Sequence, residues 1–469
     1  MTENADKFNE TETLILNNIL EIKFELIEIS NKFEDHRNGK SPPPFPYLID
    51  AGNERAIVIS EKIEKLIFII SRTLYDINPS LAGKFTHLEW SKTVRKAFGP
   101  ALAETDLNDN TLQSAANVLN TVKKELIAYD SHKNSEEYSL GCILFQPTQL
   151  TDYQTFDFSI GPIRFESRDA WLRRKVTEKI ISPVTERRLL RRWNGERLKK
   201  RQSSSGDMEE SRLFTVFADA PFIVSVTIEN SGWEAGLQKS LTAARLSLSS
   251  VSLLFSNPVN ILDSIYLMHD KTLRTQKIIS VNYKSHEIRS QYKWSQSRIP
   301  LATGDEVLEI LNNNSEYFII IERIINYATD SPIISRNPHI ISAMTQALLW
   351  FHEACRETVT LMAIVKLSSS LDAMAAGRKS GGIKRLISAR LGIREDQPLW
   401  DGGPIMKSAV DDIYSQARSR TVHGTNTKIG HDWTYVRSVA EWLTASCLLK
   451  CLEWAAKHPG SDDPKLMSQ

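Results

Sequence analysis

The chain has few cysteines, almost no net charge and no long apolar run. Its 469 residues include four Cys, too few for a disulfide framework in a chain of this length. No stretch of 18 or more apolar residues occurs, so we expect no membrane-spanning helix. Residues 1–7 are acidic and polar and do not resemble a signal peptide. We therefore expect a cytoplasmic protein that does not enter a membrane.

The charge balance excludes a basic field over the whole molecule. Lys and Arg number 58 against 57 Asp and Glu, a formal net charge of +1, so any nucleic-acid surface must be local. The hydrophobic fraction of 41% is ordinary for a globular protein, and the length predicts two to four domains. Cys447 and Cys451 are one helical turn apart, but no second pair of ligands has matching spacing. We predict reduced core thiols there and expect no metal or other cofactor.

The spacing of apolar residues changes along the chain from helical to strand-like and back to helical, which predicts a multidomain, mainly α protein. A helical N-terminal region is expected over 1–133 and an α+β middle domain with a basic helix over 134–330. An all-α helical bundle follows over 335–458. Residues 459–469 are rich in Pro, Ser and Asp, which predicts a flexible tail.

Apolar periodicity and turn residues predict the individual elements. In the first region, helices are expected over 8–33, 54–75 and 111–129, with a proline-rich break at 38–46. In the middle, we expect strands at 140–145 and 156–165 (bent at Gly161), a loop at 201–207, a strand-rich stretch at 213–229, a helix at 233–255 and a hairpin at 278–294. In the last region, we expect helices over 306–327, 340–364, 367–376, 383–391, 404–422 and 433–456, with junctions at 330–332, 381–382 and 424–430.

The most informative segment is 414–424, near the end of the predicted helix 404–422. Arg418 is permanently charged and can bind phosphate oxygens in a fork, and His423 can move protons near neutral pH. Five positions on an α-helix are about 500° of rotation, so the two side chains converge only if His423 lies at the fraying end. Gly424, a residue type favoured just past a helix end, supports that placement. The competing interpretations are a solvated helix charge for Arg418 and a polar cap for His423.

This segment resembles the signature of the HEPN superfamily, specifically its Apea-like branch, over about 335–458. The matching positions are Tyr414, Arg418-Ser419, Thr421-Val422 and His423-Gly424. An upstream block at 347–374 also fits, with Asp372 at a position where that branch usually has Glu. Many HEPN ribonucleases carry Asn, Asp or His directly after the Arg, but the Apea-like branch tolerates Ser at that position.

The resemblance implies a metal-independent endoribonuclease that leaves 2′,3′-cyclic phosphate and 5′-hydroxyl ends. Arg418 would stabilise charge and His423 would transfer protons and contact the phosphate. Auxiliary roles fall to Ser419, Arg420, Tyr414 and Asp372, although Arg420 is also explained as a surface charge and Tyr414 as a packing residue.

The resemblance further implies a homodimer or higher homo-oligomer through the C-terminal domain, with two motifs in one cleft. It also implies a bacterial toxin or antiviral defence effector that acts by abortive infection, with a regulatory or trigger protein as a further partner. The alternatives are a non-catalytic HEPN module that binds a nucleotide or a protein partner, and a helical scaffold in which the motif is coincidental.

A second feature is the basic stretch 168–201, in which 13 Lys and Arg stand against four acids, a local charge of +9. Interleaved Trp residues could stack on bases while the cations follow an RNA backbone. A helix face balanced by acids elsewhere explains the stretch equally well. The candidate RNA contacts are Arg187, Arg188, Arg191, Arg192 and Trp193.

Overall fold

The structure is a computed structural model that describes residues 9–37, 47–131, 135–145, 156–270, 275–282, 287–294, 304–329 and 337–469. It is mainly helical, with a small antiparallel sheet in the middle of the chain, which confirms the predicted multidomain, mainly α class. The predicted break at 38–46 and junction at 330–332 lie outside the described residues. Among the described helices, none is both long and apolar enough to cross a membrane.

The chain divides into two compact units. The first comprises Met1–Glu136 with Ile228–Gln238, and the second comprises Glu137–Thr227 with Lys239–Gln469. The predicted middle and C-terminal domains therefore both fall in the second unit, apart from the short piece 228–238. The helices and strands of the first unit are α1 (Glu10–Arg37), β1 (Tyr47–Gly52), β2 (Arg55–Ile59), α2 (Glu61–Asp76), α3 (Pro79–Ala82), α4 (His87–Ala103) and α5 (Leu112–Ser131).

The helix predicted over 54–75 begins too early, because its first residues form the strand β2. Asn53 and Glu54 have positive φ values of 51° and 59°, as in the tight turns that join hairpin strands. The β-branched residues that follow pair with β1, and Ser60 then caps α2 by accepting a hydrogen bond from the Ile63 amide. Helix α4, which the sequence reading did not predict, packs closely on β1 at Gly99.

The second unit contains a five-stranded sheet with the order β4-β5-β6-β3-β7. Its strands are β3 (Glu136–Ile143), β4 (Asp157–Ile160), β5 (Ile163–Ser167), β6 (Phe222–Ile228) and β7 (Tyr266–Leu267). The segment 156–165 is a hairpin of β4 and β5 rather than one bent strand, because Gly161 reverses the chain with a φ of 53°. The predicted hairpin near 278–294 is confirmed by the pairing of β8 (Thr275–Asn282) with β9 (Glu287–Trp294).

Three helices lie between β5 and β6 in the chain: α6 (Arg168–Thr177), α7 (Pro183–Trp193) and α8 (Ser204–Phe217). The loop predicted at 201–207 ends at Ser203, whose side chain caps α8 by accepting from the Gly206 amide. The strand-rich stretch predicted at 213–229 is wrong over its first part, because Leu213 and Phe214 lie in α8 and pack on a small apolar core that includes Trp171 and Leu189. Only Phe222–Ile228 is a strand.

Helix α9 (Trp233–Ser252) begins in the first unit and continues into the second from Lys239. The other helices of the second unit are α10 (Pro258–Ser264), α11 (Gly304–Asn313), α12 (Ser315–Thr329), α13 (Pro338–Cys355), α14 (Thr360–Met374), α15 (Lys379–Leu391), α16 (Met406–Val410), α17 (Arg420–Val422) and α18 (Thr434–Lys457). The predicted helix 306–327 is broken at Asn314, and the predicted helix 340–364 ends at Cys355. The predicted helix 367–376 is the second half of α14. The predicted junction at Gly381-Gly382 is wrong, since both residues lie inside α15.

The segment 459–469 packs on this unit instead of extending from it as the predicted flexible tail. Its short 3-10 helix, Pro464–Ser468, buries the side chain of Met467 completely. Asp462 Oδ1 accepts the His339 amide at the start of α13, and the Asn337 side chain donates to the carbonyls of Pro459 and Ser461. This segment therefore caps the start of α13.

Candidate functional site

The motif lies on a continuous helical segment whose middle is π-helical. Helix α16 runs directly into a π-helical segment, Asp411–Ser419, and this runs into α17. Ile413, Tyr414 and Ala417 are the buried residues of the π segment. A π segment closes its hydrogen bonds over one residue more than an α-helix, and such segments are frequent at functional sites. The predicted span 404–422 is therefore confirmed as helical from Met406, with a widening that the sequence reading did not anticipate.

His423 ends this helix in the way the sequence predicted. It is the C-cap residue, it is exposed, and Gly424 after it has a φ of 69°. The Thr425 amide donates to the Arg420 carbonyl at 2.8 Å and the Gly424 amide donates to the Thr421 carbonyl at 3.2 Å. These two bonds form a Schellman motif, which satisfies carbonyls at the helix end and fixes the backbone of His423. The imidazole is thus presented to solvent from a defined turn.

Arg418 is half-buried and is not neutralised by a carboxylate among the described residues. Its Nη1 donates a long hydrogen bond of 3.4 Å to Tyr414 Oη, and its Cζ lies 5.0 Å from the centre of the Tyr414 ring. Its Nε is buried and has no hydrogen-bond partner in the described part of the chain. Burial raises the pKa of Tyr414, the nearby charge of Asp372 adds to this, and Arg418 opposes it. The guanidinium therefore keeps its positive charge available to an anion.

The four auxiliary candidates differ in burial and in hydrogen bonding. Asp372 lies next to the site electrostatically, but its Oδ1 accepts the Lys379 amide at 2.9 Å at the start of α15, which is a structural use. Ser419 is half-buried, and its carbonyl accepts the His423 amide. Arg420 is exposed, and its carbonyl takes part in the Schellman motif. Tyr414 is buried and packs under Arg418, so packing explains it better than base stacking.

The residues after the motif form an ordered loop around Asn426, which the sequence reading did not single out. Asn426 is buried, its Nδ2 donates to Thr421 Oγ1 at 2.8 Å, and its Oδ1 accepts the Lys428 amide at 2.8 Å. Trp433 Nε1 donates to the Lys428 carbonyl at 2.9 Å. The signal in the sequence is an Asn two residues after the Gly that ends the helix. These bonds tie the loop back to the turn that carries His423.

The five candidate RNA contacts differ in their surroundings. Arg188 Nε lies 2.5 Å from Glu210 Oε2, and Arg192 Nη1 lies 3.2 Å from Glu210 Oε1, so both hold a carboxylate that is almost fully buried. Arg192 also lies over the Phe214 ring, 3.8 Å from its centre. These two arginines join α7 to α8 inside the protein.

The other three candidates are more open or differently engaged. Arg187 is exposed, and no partner for it is found among the described residues. Arg191 is exposed and pairs with Glu196 at 2.7 Å. Trp193 is half-buried, with the Arg168 guanidinium 4.1 Å above its ring. Its indole face is therefore occupied by a side chain of the protein, which argues against stacking on a base.

A buried charged cluster joins α9 and α13 in the second unit. His352 is fully buried, its Nδ1 lies 2.9 Å from Ser249 Oγ, and its Nε2 lies 3.9 Å from Asp270 Oδ2. Arg245 binds Asp270 with two bonds of 2.6 and 3.0 Å. Burial, with the two arginines Arg356 and Arg245, lowers the pKa of His352 to about 4, against the opposing charge of Asp270. Although Ser, His and Asp meet here, Ser249 is fully buried, so no substrate reaches it and the cluster is structural.

All four cysteines are free and buried, which confirms the core thiols predicted at Cys447 and Cys451. Burial raises the pKa of Cys451 to about 12, so this thiol is unreactive at neutral pH. Within the described ranges, no group of three or more His, Cys, Asp and Glu side chains is arranged to hold a metal ion.

Comparisons with known proteins add no further information on the site. No model of a protein family matches the chain, and neither a curated protein nor a solved structure matches it.

Proposed function

We propose that the chain is a metal-independent endoribonuclease of HEPN type. The observation that carries the proposal is the helix end at 418–423, where an arginine without a carboxylate partner precedes an exposed histidine held in a capped turn. Cleavage of RNA needs these two groups in particular: a fixed positive charge for the phosphate and a side chain that exchanges protons near neutral pH. The resemblance of the segment to the HEPN signature supports the same reaction.

The chemistry uses a nucleophile that RNA already carries. The 2′-oxygen attacks the adjacent phosphorus, the bond from phosphorus to the 5′-oxygen breaks, and the products are a 2′,3′-cyclic phosphate and a 5′-hydroxyl. His423 accepts the 2′-hydroxyl proton or donates a proton to the leaving oxygen, which is worth about a hundred- to ten-thousand-fold in rate. Arg418 binds the phosphate oxygens and stabilises the charge that develops on them.

A second copy of the chain would complete the site. Arg418 and His423 are five positions apart on one helical segment, so one copy supplies a single arginine and a single histidine. Two copies with adjacent helix ends would supply two arginines and two histidines, enough for both proton transfers. We propose a homodimer or higher homo-oligomer through this helical part of the chain.

An exposed aromatic face on α18 offers a surface for such a contact. Tyr435 and Trp442 lie seven residues apart, two turns along one side of the helix, and are 62% and 39% exposed. The Trp400 ring lies against Trp442, with 5.0 Å between the ring centres. Exposed apolar patches of this kind mark interaction sites.

An RNA cleavage assay in EDTA tests the reaction. The purified protein should cut RNA, and the ends should be a cyclic phosphate and a 5′-hydroxyl. His423→Ala and Arg418→Ala should each abolish cleavage. The matched controls are His431→Ala and Arg385→Ala, which remove an exposed histidine of the following loop and an exposed arginine of α15. Cleavage at the wild-type rate by both folded site variants would refute the assignment.

The proposal extends to a bacterial toxin or antiviral defence effector, a role that rests on the resemblance alone. Induced expression in bacteria should stop growth, and the His423→Ala variant should not. An inactive purified protein that binds nucleotides or another protein would favour the non-catalytic HEPN module instead.

A further inference from the structure

The cations of the basic helices fall into two groups: those that pair with carboxylates of the protein, and those that are exposed without a partner among the described residues. Residues 168–217 carry 14 basic and seven acidic side chains, a net charge of +7. Arg174 and Lys175 pair with Glu137, and Arg188 and Arg192 pair with Glu210. The cations that are exposed and have no partner within the described residues include Arg173, Lys179, Arg187, Arg197 and Lys199.

Three internal contacts hold the loop 196–201 alongside helix α7. Glu196 pairs with Arg191 at 2.7 Å, the Lys199 carbonyl accepts from Arg188 Nη2 at 2.7 Å, and Arg201 Nη1 donates to Thr185 Oγ1 at 2.9 Å. The positions on the helix descend from 191 to 185 while those on the loop ascend from 196 to 201. The loop therefore runs antiparallel to the helix, over about 9 Å of its length at 1.5 Å per residue.

This arrangement places the exposed cations of the loop along the helix that carries Arg187. Arg187 is the neighbour in sequence of Arg188, whose guanidinium holds the Lys199 backbone. Arg197 and Lys199 are exposed, and Lys200, which is 85% exposed, has only a 3.9 Å contact with Asp207. We name these four residues, Arg187, Arg197, Lys199 and Lys200, the basic ridge.

We propose that the basic ridge binds the phosphate backbone of single-stranded RNA. The ridge is a short group of exposed cations in a protein whose overall charge is only +1, and of its members only Lys200 has a carboxylate within 4 Å among the described residues. Such a group matches a linear polyanion, and its long side chains can follow the phosphates. Base stacking by Trp193 plays no part, because Arg168 covers its ring. Binding at the ridge is therefore sensitive to salt and tolerant of sequence. The choice of RNA as ligand rests on the proposed ribonuclease function.

The test measures RNA binding separately from cleavage, in the full-length His423→Ala background. Binding of a labelled single-stranded RNA is titrated at several salt concentrations for the triple variant Arg187→Gln, Arg197→Gln, Lys199→Gln. The matched control removes three exposed lysines of the first unit, Lys96→Gln, Lys123→Gln and Lys124→Gln. Both triples lower the net charge by three, so a difference in the salt slope reports where the charge is lost.

The ridge variant should bind more weakly, and its slope of log affinity against log salt should be shallower by about 2, since each lost contact with a single strand removes roughly 0.7. The control should keep the wild-type slope. An unchanged slope in the ridge variant, or an equal change in both triples, overturns the proposal. Binding to phosphatidylserine vesicles that requires the ridge, with RNA binding unaffected, also overturns it, in favour of a membrane surface.

Two further readouts separate this proposal from the proposed reaction. In the cleavage-competent chain, the ridge substitutions should raise KM and leave kcat unchanged. If the wild-type protein cuts no RNA but ridge-dependent binding remains, the ribonuclease proposal fails and the ridge stands. If RNA is cut but the ridge variant binds with the wild-type slope, the proposal for the basic ridge is refuted and the ribonuclease proposal is retained.

Discussion

Arg187 and Arg188 are neighbours in the sequence, yet their removal should have opposite consequences. Arg188→Ala takes away the closer partner of Glu210, whose side chain is only 3% exposed, and also a hydrogen bond to the Lys199 carbonyl. Breaking a buried ion pair from one side costs about 3–5 kcal/mol. Because Arg192 still reaches Glu210 at 3.2 Å, we expect the lower end, about 3 kcal/mol. Arg187→Ala removes only an exposed side chain and should change stability by less than about 0.5 kcal/mol.

Urea unfolding followed by circular dichroism compares the two variants with the wild type, and a double-mutant cycle identifies the contact. In the Glu210→Gln background the buried charge is gone, so Arg188→Ala should cost less than it does alone. RNA binding by folded molecules should be weakened more by Arg187→Ala than by Arg188→Ala, because only Arg187 belongs to the basic ridge, while Arg188 acts on it through the Lys199 backbone. Equal stability of the two single variants, within about 0.5 kcal/mol, would show that Glu210 does not depend on Arg188.

Asn426→Ala should lower kcat for RNA cleavage while the melting temperature changes little, because the turn that carries His423 loses its tie to the loop; an unchanged kcat would show that the loop does not position the histidine. Trp442→Glu should convert the protein to a monomer in light scattering and reduce cleavage, since it places a charge on the exposed aromatic face; an active dimer would exclude that face. His352 has a folded pKa of about 4, below the unfolded value of 6.5. As the pH falls from 6.5 to 4, the unfolded chain therefore binds more protons than the folded chain, and the stability that His352 contributes above pH 6.5 is lost. Urea unfolding at about pH 7 and about pH 4.5 should show a loss of stability of about 2.4 kcal/mol, and the loss should be smaller in His352→Gln. An equal loss in both proteins would exclude His352 as the source.

The sequence predicted best where the signal is local. The end of the motif helix follows from Gly424, whose left-handed conformation is available at low cost, and the structure places it directly after His423. Helix α18 was predicted to within one residue at each end by apolar residues at helical spacing. Both results depend on interactions between residues that are close in the chain, so the local sequence pattern is enough to predict them.

The sequence predicted poorly where a distant partner decides. Residues 54–59 contain apolar positions that fit a helix, but β1 supplies hydrogen-bonding partners and turns them into a strand. The π-helical segment at 411–419 has no local signature, since its hydrogen-bond register depends on how Ile413, Tyr414 and Ala417 pack. Gly381 and Gly382 favour a break, but Gly382 is buried, and a Cβ at this position would lie 2.4 Å from Arg378 Cβ and 3.3 Å from Ala375 Cβ, so the packing of the helix requires a glycine here.

The sequence alone could not separate arginines that hold a buried carboxylate from arginines that face none. A run such as 187–192 shows only charge, and the partner of Arg188 lies 22 residues away at Glu210. An arginine that faces a buried carboxylate has its charge neutralised inside the protein, and an added anion would have to compete with that carboxylate. Arg418 and Arg187 face no carboxylate in the described part of the chain, and the desolvation already undergone by half-buried Arg418 strengthens its attraction for an incoming phosphate. The two sites should therefore differ in their response to salt. Salt screens the attraction between RNA and exposed Arg187 more strongly than the attraction between half-buried Arg418 and the reacting phosphate. We therefore expect that added salt raises KM before it lowers kcat.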